Sequence, residues 1–151
     1  MAKSILLARP HPFIVAEMKP FLEHGGYATA KLENIANLAT QARSSVGVVI
    51  SMAISSSLGK SAAETFTQLR QEFPHVPVMF AAILPFDESM AGLKRLAEHA
   101  GVQATIFGVA TENERATALG KPDTFLYISK DDLADPTRRA IASRMVQRHF
   151  R

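Results

Sequence analysis

The stretch Ser57-Leu-Gly-Lys-Ser61 ends like a phosphate-binding loop, with a lysine and a hydroxyl directly after a glycine. Such a loop needs another glycine five residues earlier, and Ile54 stands there. A weaker anion site remains: Ser55, Ser56, Ser57 and Lys60 lie between a predicted strand and a predicted helix, on the side where open α/β sheets bind ligands. The plainer reading is a polar loop with a capping serine. The five histidines, His11, His24, His75, His99 and His149, include no i, i+4 pair suited to a metal, so none is expected. They read as surface residues at element ends, with His24 and His99 in last turns where the helix dipole favours positive charge. No Gly-x-Ser-x-Gly elbow is present, and the absence of cysteine removes thiolate nucleophiles, disulfides and cysteine metal sites. No catalytic constellation stands out and no cofactor is implied.

A second concentration of charge lies near the C-terminus. Asp131, Asp132 and Asp135 precede Arg138, Arg139, Arg144 and Arg148. Acid at the start of a helix and base along its end suit the macrodipole, which is the plainer reading. The sharper one is an arginine face for an acidic partner or for nucleic-acid phosphates, and the lack of interleaved aromatics argues against nucleic acid.

These groups must be positioned by a chain of 151 residues, the size of one typical domain, read as a single unit over 1–151. An apolar share of 47% with 21% charged residues fits an ordered globular protein. No run approaches the roughly 18 apolar residues of a membrane span, and the apolar start is too short for a secretion signal. Together with the cysteine-free composition this gives an expectation of a cytoplasmic protein. Strands are predicted at Ser4 to Ala8, Tyr27 to Leu32, Val46 to Ile50, Val76 to Leu84, Val102 to Val109 and Phe125 to Ser129. Helices are predicted at Phe13 to Leu22, with Pro20 kinking it or near its end, and at Asn34 to Ala42, Ala62 to Phe73, from Asp87, Glu112 to Leu119 and Pro136 to Phe150. The uncharged, β-branched run Val46 to Ile50 has the character of a central parallel strand. Alternating strands and helices predict a three-layer α/β fold with a parallel sheet of five or six strands.

In that order the residues resemble the receiver domains of response regulators, the flavodoxin-like modules of two-component signal transduction. Ile5-Leu-Leu-Ala-Arg-Pro-His-Pro resembles the first strand, Val48-Val-Ile-Ser-Met the third, and Thr67 to Ala82 the third helix and fourth strand. Leu126-Tyr-Ile-Ser-Lys130 resembles the fifth strand with its terminal lysine. The resemblance implies strand order 2-1-3-4-5, with residues 102–122 as an added strand and helix.

It also implies a degenerate pocket. Arg9 and Pro10 fall where an acidic pair would hold Mg²⁺, and neither offers the hard oxygen ligands that ion requires. Met52 falls at the phosphoacceptor carboxylate, Ala82 replaces a hydroxyl residue, and Lys130 alone is kept. A thioether does not attack phosphorus as that carboxylate must. The resulting expectation is a pseudo-receiver, not an enzyme, that acts by protein–protein interaction and forms a homodimer. It expects no acidic cluster at that end of the sheet. The alternatives are a binder or enzyme for a small anion, using Arg9, Ser51, Ser55 and Lys130, and nucleic-acid binding through the last helix.

Overall fold

The structure, a computed structural model, describes residues 3–9, 14–32, 34–52, 62–73, 75–109, 119–121 and 123–150. Six strands form one parallel sheet: β1 (Lys3–Arg9), β2 (Tyr27–Lys31), β3 (Gly47–Ser51), β4 (Val78–Ala82), β5 (Thr105–Phe107) and β6 (Thr124–Ser129). The helices are α1 (Lys19–His24), α2 (Leu38–Arg43), α3 (Ala62–Glu72), α4 (Phe86–His99), α5 (Lys130–Ala134) and α6 (Pro136–His149). The strand order is β2-β1-β3-β4-β6-β5. The place expected for a fifth strand beside β4 is thus taken by β6, and the added strand β5 lies outside it at the edge.

The period of two along each strand divides the apolar side chains into two cores. Ile5, Leu7, Val49, Met79, Leu126 and Ile128 pack on Phe21 and Leu22 of α1, Leu133 of α5 and Met145 and Val146 of α6. Leu6, Val48, Ile50, Val78, Phe80, Phe125 and Tyr127 face Leu38 of α2, Phe66 and Leu69 of α3 and Leu93 and Leu96 of α4. In this second core the rings of Phe66, Phe80 and Phe125 meet at centroid distances of 4.9 to 5.7 Å, the tilted and edge-on geometry that aromatic quadrupoles favour. β3 is buried at every position, as its β-branched run predicts for a strand covered on both faces.

Four elements depart from expectation. The first helix opens with a π-helical turn, Ile14–Met18, and Pro20 stands at its junction with α1, near the start of the regular helix. β5 is three residues rather than eight, Thr105–Phe107, paired with β6 alone at the edge of the sheet. Lys130 does not end a strand: it opens α5, which sequence periodicity missed. Five residues are too few to show a period, but Ser129 and Asp132 form a reciprocal capping box that starts the helix. The fourth departure is His149, expected at the surface and fully buried instead. The helix expected at Glu112 to Leu119 lies, apart from Leu119, outside the described residues.

The C-terminal end of α6 closes the sheet at the amino ends of its strands. Phe150 is fully buried against β3, where a Cβ on Gly47 would stand 2.0 Å from the Phe150 ring, so only glycine admits it. Tyr27 donates its hydroxyl to the Phe150 carbonyl at 2.7 Å, and burial raises its pKa. His149 accepts from the Gly120 N–H on Nδ1 at 3.0 Å, which places the ring proton on Nε2, facing the Val78 carbonyl at 2.9 Å.

Candidate functional site

The topology sets two switch points at the carboxyl ends of the strands, where crevices are expected. In open α/β sheets, ligands collect where neighbouring strands send their following helices to opposite faces. β1 leads to α1 on one face and β3 to α3 on the other, which makes the first crevice. β4 leads to α4 on the α3 face while its neighbour β6 leads to α5 and α6 on the α1 face. The opposite departures of these helices open a second crevice between β4 and β6, and Val109, beyond the edge strand β5, adds to its wall.

The first crevice is where the resemblance places its chemistry. Arg9 ends β1, and its side chain, like Pro10, lies outside the described residues. Met52 follows the last residue of β3, is half-buried, and donates its backbone N–H to the Ala81 carbonyl at 2.9 Å. Its methyl lies against α4, 3.8 Å from where a Cβ on Gly92 would stand. Ser51 is buried at the end of β3, and Ala82 ends β4 packed against the second core. Ser55, Ser56, Ser57 and Lys60 lie outside the described residues. The chain carries no aspartate or glutamate between Arg9 and Phe13, nor between Ser51 and Ser61, the two stretches that follow β1 and β3. Lys130 is exposed on the first turn of α5.

The second crevice holds a pocket of about 180 Å³ lined by Pro85, Phe86, Asp87, Val109, Ser129, Asp131, Asp132 and Arg138. Sequence reasoning missed it, because its residues come from four separate segments and only the strand order brings them together. Three aspartates meet here, so that end of the sheet is not free of carboxylates as expected. They border β4 and β6 rather than β1 and β3, and no cluster of three or more histidine, cysteine, aspartate or glutamate side chains suited to a metal occurs among the described residues. Asp132 is nearly buried, and its Oδ2 accepts from the Ser129 N–H at 2.9 Å.

The pocket walls are held from behind. Tyr127 is fully buried, and its hydroxyl lies 2.7 Å from Ser89 Oγ and donates to the Leu84 carbonyl, one residue before Pro85. Burial, the chief cause, raises the Tyr127 pKa, so the hydroxyl stays protonated and able to donate. A Cβ on Gly108 would meet Phe86 at 2.4 Å, so this glycine lets the ring close on the end of β5.

The four arginines of α6 do not share one face. Arg138 is exposed and reaches the pocket. Arg139 is half-buried, with its guanidinium 5.1 Å from the Phe21 ring centroid and Nη1 donating to the Leu133 carbonyl at 3.3 Å. Arg144 and Arg148 are exposed further along the helix. At 100° per residue, 139 and 144 point well apart.

No family's sequence pattern matches the chain, and no curated protein is similar to it in sequence. Solved structures are similar in fold. The receiver domain of a sensor histidine kinase from Pseudomonas aeruginosa, described with a magnesium ion in its active-site cleft, matches with a TM-score of 0.58 at 14% identity, over 99% of this chain and 98% of that one. The chemotaxis protein CheY4 of Vibrio cholerae matches with a TM-score of 0.56 at 11% identity over 98% of both chains. An orphan response regulator of H. pylori matches with a TM-score of 0.52 at 13% identity, over 97% of this chain and 96% of that one. At such identities the likeness concerns fold alone. The chain has the fold of a response-regulator receiver domain, enlarged by one strand at the edge of its sheet.

Proposed function

We propose that this chain is a receiver-like signalling module that works without phosphoryl transfer, through contacts with other proteins and with a second copy of itself. The observation that carries this reading is the lack of any carboxylate in the stretches after β1 and β3, with Met52 directly after β3. A phosphoryl acceptor there must be an anionic oxygen beside ligands for a divalent cation, and neither a thioether nor Arg9 and Pro10 supply that chemistry. Output through protein contact is supported by Ile83 and Leu84 on the β4–α4 connection, 55% and 53% exposed, the large apolar side chains most open to solvent among the described residues. Adjacent exposed apolar side chains of this kind are a common mark of interaction surfaces.

Intact-mass determination after incubation with Mg²⁺ and acetyl phosphate tests the chemistry. Unmodified protein is expected, and a Mg²⁺-dependent phosphoryl adduct would refute the reading. Analytical ultracentrifugation of the wild type and of Ile83→Ser/Leu84→Ser tests self-association: a concentration-dependent dimer is expected, and a monomer at every concentration would remove that part.

A further inference from the structure

The second crevice carries an inference of its own that does not rest on the reading above. Its lining holds both signs of charge, since the carboxylates of Asp87 and Asp131 and the guanidinium of Arg138 all border one pocket. No ion pair joins Arg138 to Asp87, Asp131 or Asp132. Both signs of charge therefore border the pocket without pairing with one another. The remaining walls are apolar: Pro85, the Phe86 ring and Val109.

We propose that this pocket binds a compact α-amino acid as its zwitterion. The ammonium group faces Asp87 and Asp131, the carboxylate faces Arg138, and the short side chain lies against Phe86 and Val109. Size agrees with this ligand: a cavity of about 150 Å³ admits benzene, so about 180 Å³ takes roughly six to eight heavy atoms. Charge selects it as well. A simple anion would meet three carboxylates, and a simple cation would leave Arg138 without an acceptor and add to its positive field. A ligand bearing both charges satisfies each wall with a charge-assisted hydrogen bond. The pocket is also largely pre-formed: the reciprocal cap holds Ser129 and Asp132, Gly108 sets Phe86, and Tyr127 anchors the carbonyl before Pro85. Little ordering is then left for binding to impose.

The test is a ¹H–¹⁵N NMR titration of the full chain with glycine, L-alanine and L-valine, using methylammonium and acetate as single-charge probes. Saturable shifts are expected at the amides of Asp87, Ser129, Asp132 and Arg138, with at least one amino acid binding about tenfold or more tightly than either single-charge probe. Arg138→Gln and, separately, Asp131→Asn are expected to weaken that binding about tenfold while leaving the rest of the spectrum in place. Both side chains are exposed, so neither substitution threatens the fold. The proposal is overturned if no amino acid saturates these amides, if methylammonium or acetate binds equally well, or if neither substitution changes the titration.

Discussion

Mild acid should destabilise this protein through His149. The imidazole is fully buried, with Nδ1 accepting from Gly120 and Nε2–H donating to Val78, and the nearby Arg70 cation opposes a second positive charge. Burial, the largest cause, depresses its pKa from 6.5 to about 4, outweighing the bond to Val78, which acts in the opposite direction. Protonation would also turn Nδ1 into a donor facing the donor N–H of Gly120. Because the folded pKa lies below the unfolded one, the unfolded chain takes up the proton first. The stabilisation from the neutral ring is complete above about pH 7, falls as pH drops through 6.5, and is gone below about 4. Each factor of ten in proton affinity is about 1.4 kcal/mol, so the fall from 6.5 to about 4 corresponds to about 3 kcal/mol. Urea unfolding followed by far-ultraviolet circular dichroism, at steps between pH 8 and 4, measures it against His149→Gln, which cannot titrate. The stability difference between wild type and variant should shrink by about 3 kcal/mol across that range. A difference that stays constant with pH refutes the argument, as would an imidazole ¹⁵N spectrum showing His149 protonated at pH 6.

Phe150→Ala removes a fully buried ring from the amino end of the sheet and should cost about 3–5 kcal/mol in chemical denaturation. Gly47→Ala should destabilise by about 1–3 kcal/mol in the same assay, because its Cβ overlaps the Phe150 ring. Tyr127→Phe leaves the Leu84 carbonyl and Ser89 without their partner, so a loss of about 1–3 kcal/mol is expected, with faster amide exchange confined to residues 83–89. Ser129→Ala removes one half of the capping box and should cost about 0.5–2 kcal/mol, with exchange in α5 rising before the rest of the chain.

Short-range pattern in the sequence was enough for most of the frame. The uncharged β-branched run of β3, the three- and four-residue spacing of α3 and α4 and the strand–helix alternation are local signals, and local signals are legible without coordinates. The missing carboxylates after β1 and β3 were legible for the same reason, since absence from a stretch is a property of composition. Strand order came from the resemblance, which made Leu126 to Lys130 the fifth strand beside β4. Local pattern alone does not give it or the edge position of the added strand, because β5 and β6 are both short apolar runs packed by Phe107, Phe125 and Leu126 against helices distant in sequence. His149 illustrates the same limit: a histidine in a last turn reads as exposed until β4 and the turn at Gly120 supply partners for both ring nitrogens.

From its residues alone this chain declared an α/β layering and the lack of carboxylates in the stretches after β1 and β3. Tertiary structure alone decided that the added strand β5 lies at the sheet edge beyond β6, and that Asp87, Asp131 and Arg138 share one pocket. The physical reason is that a pocket is made by helices parting to opposite faces, and the face each helix takes is chosen by contacts between residues far apart along the chain.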